Sequence, residues 1–177
     1  MILSKRPDIE RFLARPEPPI RAAVIYGRDT GVVRDRGLQL ARKLVPNLDD
    51  PFDVALLTDG DLDSDGARLE GELAAQSLMG GRRLVRLRFA TEKTALDKQV
   101  AETLVAHAEG KLNPDAFFII EAGNLGRDSA LRKAAEKAAE AVAIPCYEDE
   151  PGDVARLVRE VLAQDGVGLD AQALQLF

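Results

Sequence analysis

The residues best placed to do chemistry are Gly27-Arg28-Asp29-Thr30-Gly31-Val32-Val33-Arg34, which close a short apolar run and open a helical pattern. A junction of this kind is where a phosphate-binding loop of the form G-x-x-x-x-G-K-[ST] sits. Its second glycine allows close backbone approach, its lysine meets the phosphates and its hydroxyl holds magnesium. Counted from Gly27, those three positions carry Val32, Val33 and Arg34. The spacing therefore predicts a junction that does not bind ATP in the usual way.

Nucleotide hydrolysis also needs an acid for the magnesium ion. In P-loop proteins it stands at the end of the third strand, where Arg82-Arg83-Leu84-Val85-Arg86-Leu87-Arg88-Phe89 offers none. Glu121, at the end of the fourth strand, could imitate it, but a strand-end carboxylate facing solvent or a helix terminus is the simpler expectation. Asp61-Leu62-Asp63-Ser64-Asp65-Gly66 followed by Glu72 fits the calcium-loop pattern. A strand rather than a helix leads into it, however, and Arg68 stands where an apolar residue belongs. An acidic turn capping the helix whose stripe begins at Leu69 explains the same residues. His107 and Cys146 are the single histidine and the single cysteine. They lie in different contexts, one in a helical pattern and one after a strand, and both are expected to be structural rather than zinc ligands or a catalytic dyad.

The segment Leu69 to Arg83 reads as a helix ended by Gly80-Gly81. At about 100° per residue, Leu62, Leu69, Leu73 and Gln76 share a face, whereas Leu78 projects about 180° from Leu69 and Met79 about 80° from it. One stripe cannot bury them all. Leu78 and Met79 are therefore left at the helix tip beside Arg82 and Arg83, as a candidate protein-docking plug. The competing expectation is that both side chains tuck under the next strand.

These residues are positioned by a regular alternation. Short apolar runs at Ala22 to Tyr26, Val54 to Leu57, Leu84 to Phe89, Ala116 to Ile120 and Ala141 to Ile144 are separated by helix-period segments. Such alternation predicts a parallel sheet of about five strands in a three-layer α/β fold. Helix starts are expected at Thr30, at Asp63 or Ser64, at Thr94 and at Asp128 or Ser129. An earlier helix, about Pro7 to Ala14, leads into an extended tether at Arg15-Pro16-Glu17-Pro18-Pro19. After Pro145 the pattern turns helical, with Val154, Leu157, Val158, Val161 and Leu162 on one helix and a further start at Leu169. The expected division is thus 1–145 and a small helical unit beginning at 146–177. Because the sequence stops inside that unit, a chain cut short of a larger protein is expected.

Composition narrows the function. The chain has 177 residues and a formal net charge of −6, which disfavours direct capture of a nucleic-acid backbone. No run approaches the roughly 18 apolar residues of a membrane span and the N-terminus lacks a signal-peptide pattern, so a cytoplasmic protein is expected.

Taken in order, Tyr26-Gly27-Arg28-Asp29, Gln76-Ser77-Leu78-Met79-Gly80-Gly81-Arg82-Arg83, Ile119-Ile120-Glu121-Ala122-Gly123-Asn124-Leu125 and Ala143-Ile144-Pro145-Cys146-Tyr147 resemble the δ subunit family of bacterial DNA polymerase III clamp loaders. The resemblance covers nearly the whole chain. It implies a P-loop NTPase (AAA+)-like domain with a degenerate nucleotide site, then a helical lid, with the family's third, collar domain absent. It also implies a non-catalytic subunit of the replicative DNA polymerase holoenzyme, needing no cofactor or metal. Such a subunit binds the sliding clamp (beta) and helps open it, beside the tau/gamma and delta prime subunits, and meets DNA only within that complex. The clamp-binding positions that match are Leu78 and Met79, flanked by Gln76 and Ser77; family members often carry Leu-Phe, so Met79 departs from the pattern. Two rivals stand against this: a working P-loop-type nucleotide-dependent enzyme, and a flavodoxin-like response regulator with Asp59 as phosphoacceptor. The latter lacks the acidic pair expected near the first strand's end.

Overall fold

Continuous apolar runs such as Ala22 to Tyr26 and Ala116 to Ile120 leave no polar face for solvent, and they assemble here into the centre of a sheet covered on both sides. The computed structural model describes residues 1–78, 80–90 and 93–146. The helical unit expected at 146–177 lies, apart from Cys146, outside the described residues.

The five strands are β1 (Ala22–Gly27), β2 (Val54–Thr58), β3 (Arg83–Phe89), β4 (Ala116–Ala122) and β5 (Ala141–Cys146). All pair in parallel, in the order β2-β3-β4-β1-β5. This is the predicted three-layer α/β architecture. Each strand begins within a residue of its apolar run, and β5 continues through Pro145 so that Cys146 is its last residue rather than the first beyond it. Phe117-Phe118-Ile119-Ile120 is buried throughout, as a strand covered on both faces requires.

One face carries α1 (Arg6–Ala14) and α2 (Thr30–Leu44), which pack Phe12, Leu13, Val33, Leu40 and Leu44 against Ala23, Ile25, Phe117, Ile119 and Ile144. The other carries α3 (Asp59–Ser64), α4 (Arg68–Ala74), α5 (Thr94–Ala108) and α6 (Ala130–Lys137). Their Leu62, Leu69, Leu73, Val100, Leu104 and Leu131 pack against Val24, Val85, Leu87, Phe118 and Ile120. The edge strand β2 keeps Leu56 largely exposed.

Several helix starts and stops depart from expectation. Asp29, not Thr30, caps α2, and Lys93 rather than Thr94 precedes α5. Ser129 caps α6 as predicted, accepting from the Arg132 N–H at 3.1 Å. The Asp97 carboxylate reinforces that start from α5 by accepting from the Ala130 N–H at 2.6 Å. The acidic stretch forms its own short helix, α3, closed by a capping box between Thr58 and Asp61. The Leu69 stripe then begins afresh after Ala67, without a side-chain cap.

The largest correction concerns α4, which stops at Ala74 instead of running to Gly80-Gly81. The last carbonyls of a helix lack intrahelical donors, and a helix ends cheaply where other donors reach them. Here the Arg83 Nε–H donates to the Glu72 carbonyl at 3.0 Å, the Asn113 N–H to that of Leu73 at 3.2 Å, and the Asn113 amide to that of Ala75 at 2.7 Å. Leu78 consequently stands on a turn between α4 and β3 rather than on a helical tip.

Candidate functional site

The junction between β1 and α2 leaves no room for a phosphate-wrapping loop. The strand ends at Gly27 and the helix begins at Thr30, so only Arg28 and Asp29 lie between them. A phosphate at a helix N-terminus is held by free backbone N–H groups. Here the Asp29 carboxylate takes those of Gly31 at 2.8 Å and Val32 at 3.1 Å, placing a fixed negative charge where a phosphate would need donors. Gly27 is confined differently: a Cβ there would collide with the carbonyl of Cys146 on the neighbouring strand.

At the far side of that junction the expected strand-end acid is not solvent-facing. The Glu121 side chain is only 1% exposed, and it accepts from both Nε (3.0 Å) and Nη2 of the buried Arg86, with Arg88 Nε at 3.5 Å. Arg86 and Arg88 stand on β3, the strand where a magnesium acid would belong, and bring positive charge to it. On α2, Gly37 covers the cluster, and a Cβ there would lie 2.5 Å from Glu121 Oε1. The expectation of a carboxylate facing solvent or a helix terminus fails because alternation along β4 turns Glu121 toward Gly37 in the middle of α2, beside Ile119 on the same face. The buried Glu121 oxygens are met there by arginines supplied from β3.

The acids of the calcium-like stretch go to separate partners. Asp61 accepts from Thr58 Oγ1 at 2.7 Å and pairs with Arg68 at 2.8 Å, Asp63 pairs with Lys93 at 2.6 Å, and Asp65 accepts from the Ala67 N–H at 3.0 Å. The Thr58 hydroxyl and N–H, then Arg68, hold the Asp61 carboxyl below the usual carboxylate range. Among the described residues, no group of three or more His, Cys, Asp or Glu side chains is arranged to hold a metal ion. Asp59 accepts from the Ala90 N–H at 3.0 Å. His107 is wholly buried on α5, its Nε2–H donating to the Ala116 carbonyl at 3.1 Å, and burial pushes its pKa down, so the ring stays neutral. Burial pushes the Cys146 thiol up, the opposite of a nucleophile's environment, while Arg36 donates to Sγ at 3.1 Å.

What remains is the connection from α4 to β3. The Gly80 N–H approaches the Ser77 carbonyl at 3.4 Å and the Gly81 N–H donates to Ser77 Oγ at 3.1 Å, so Ser77 fastens both sides of the turn. Gly80 adopts φ +74°, a conformation glycine takes without strain. Leu78 is 77% exposed, Gln76 is exposed and Ser77 half-buried; Met79 lies outside the described residues. The two arginines flanking the turn differ sharply. Arg82 is exposed, whereas Arg83 is buried and binds the Glu72 carboxylate together with the carbonyls of Glu72 and Phe52. In the sequence the two read as one basic pair. Phe52, which is 61% exposed on the neighbouring loop, is marked there by no pattern at all.

No family model matches this sequence, and no curated protein matches it. Among solved structures the chain is similar to the Bacillus subtilis DNA clamp loader delta protein, with a TM-score of 0.65 at 16% identity, over 94% of this chain and 50% of that one. It also resembles the Thermotoga maritima DNA polymerase III gamma subunit-related protein, with a TM-score of 0.50 at 15% identity, over 87% of this chain and 49% of the other. Domain III of the Thermotoga maritima replication initiation protein DnaA gives a TM-score of 0.50 at 12% identity, over 96% and 72% of the two chains. The chain spans about half the length of the first two structures. It has the AAA+-like fold of clamp-loader and DnaA domains.

Proposed function

We propose that this chain is a clamp-loader δ-type subunit that docks a sliding clamp through the turn between α4 and β3 and performs no catalysis itself. The observation that carries this is Leu78, an apolar side chain 77% exposed on a turn fastened by Ser77, in a fold that buries most of its other leucines. Single exposed apolar residues are common. One on a turn braced by Ser77, in a fold shared with a clamp-loader delta protein, gives the reading its substance.

In this reading Leu78 and Met79 enter an apolar pocket of the clamp, and Gln76 and Ser77 flank them. A thioether adapts readily to such a pocket, so methionine serves where phenylalanine is usual. Burial of each side chain supplies about 1.5–3 kcal/mol. Docking helps open the ring only insofar as this surface binds the open clamp more tightly than the closed one, since a ligand shifts an equilibrium by its differential affinity alone. No proton or phosphoryl group has to move on this subunit.

Residues 1–145 form the clamp-binding domain of the proposal and 146–177 the start of its lid, assembled with tau/gamma and delta prime subunits in the cytoplasm and meeting DNA only within that complex. Among the described residues no helix is long and apolar enough to cross a membrane. Titration with Mg-ATP tests the non-catalytic part. With the Gly31 and Val32 donors occupied by Asp29, no saturable binding is expected below about millimolar nucleotide, an affinity worth only about 4 kcal/mol. Micromolar binding or turnover would restore the nucleotide-dependent enzyme.

A further inference from the structure

Phe52 is exposed, yet the backbone on both sides of it is hydrogen-bonded. It follows Asp49, Asp50 and Pro51 on the loop that leads into β2. Its N–H donates to the Asp50 carboxylate at 2.9 Å, its carbonyl accepts from Arg83 Nη1, and the carbonyl of Asp53 accepts from the Leu84 N–H at 2.7 Å. The backbone is thus fixed on both sides of an exposed ring. An aromatic residue so prepared loses little conformational freedom on binding, which is how anchoring residues of interfaces are made.

The same mount carries Leu78. Arg83, which holds the Phe52 carbonyl, also holds the end of α4 from which the Leu78 turn departs. Gly81 joins the two loops: a Cβ built on it would lie 3.6 Å from the Asp53 carboxylate and 3.7 Å from Ser77 Oγ. Phe52 and Leu78 are the chain neighbours of those two residues, so two exposed apolar side chains flank one braced point. Charge divides across it. Asp49 and Asp50 lie on the Phe52 side, and the exposed Arg82 lies on the β3 side.

We propose that Phe52 is a second anchor of the docking surface that contains Leu78, and that the partner receives its ring in an apolar pocket bordered by basic side chains facing Asp49 and Asp50. The inference rests on the docking reading above and extends it. Opposed charges on the two sides would set the partner's orientation, as complementary rims do elsewhere.

The test is surface plasmon resonance of the cognate sliding clamp over the immobilised full chain, comparing wild type, Phe52→Ser and Leu78→Ser, with thermal unfolding of each. Phe52→Ser is expected to weaken binding about tenfold at an unchanged melting temperature. Unchanged binding by Phe52→Ser, while Leu78→Ser weakens it, overturns the second anchor and leaves the docking reading standing. The second anchor is overturned equally if Phe52→Ser abolishes only self-association of the chain. Absence of binding by the wild type removes the docking reading and its extension together. Should Phe52→Ser lower the melting temperature, the exposed Asp49→Arg poses the same question: weaker clamp binding supports the anchor, and unchanged or tighter binding overturns it.

Discussion

Replacing Leu78 and Met79 together by serine is expected to abolish binding to the cognate sliding clamp, and Leu78→Ser alone to weaken it about ten- to a hundredfold, with the thermal unfolding midpoint unchanged in the single variant. The magnitude follows from burial: about 1.5–3 kcal/mol lost for one leucine, at about 1.4 kcal/mol per tenfold in affinity. The unchanged stability follows from position. Leu78 is 77% exposed, so serine there removes almost no folded-state contact. The turn is fastened through Ser77 and Gly80, which the substitution leaves in place. Titration calorimetry with a melting curve for each variant checks both halves. A Leu78→Ser protein that melts several degrees lower would assign the side chain to the core.

Glu121→Ala is expected to destabilise the chain by about 3–5 kcal/mol, the usual cost of removing one partner of a buried ion pair. Arg86 would be left buried with its charge uncompensated, because its Nε–H and Nη2–H both go to Glu121 Oε1. Chains of this size lose roughly 2–4 °C of melting temperature per kcal/mol. Differential scanning calorimetry should therefore show a drop of roughly 6–20 °C. A change within about 1 °C would mean that the carboxylate is solvated and free, as an acid available to a metal ion would be. Replacing Arg86 as well, to give Arg86→Met with Glu121→Leu, is expected to recover most of the loss, since a buried pair is replaceable by apolar side chains of similar volume.

The sheet is legible in the sequence because its strands are decided locally. Ala22 to Tyr26, Val54 to Leu57, Ala116 to Ile120 and Ala141 to Ile144 are continuous apolar runs, Leu84 to Phe89 is an apolar run broken by Arg86 and Arg88, and each is a strand. The degenerate nucleotide signature is legible for the same reason, since it depends on which residues follow Gly27. What escapes depends on partners far along the chain. Helix α4 stops at Ala74 because Asn113 and Arg83 reach its last carbonyls, and nothing within Leu69 to Gly81 announces either donor. Glu121 reads in the sequence as an acid facing solvent or a helix terminus because its pairing with Arg86 joins residues 35 apart along the chain. Helix α3 does carry a local signal. Thr58 followed three residues later by Asp61 has the spacing of a capping box, which the calcium-like pattern of the same acids obscures. Phe52 gives no such signal. Its exposure is set by how the Asp49–Asp53 loop meets β3, and that is settled only when Arg83 closes on the Phe52 carbonyl.

The central claim is that an apolar turn on a nucleotide-free fold is sufficient to hold the clamp. It is tested most directly by passing the cognate sliding clamp over the immobilised wild-type chain in buffer containing EDTA and no nucleotide. The account predicts saturable binding whose affinity is unaltered when Mg-ATP is added. Binding that appears only with Mg-ATP, or none at all, would contradict it.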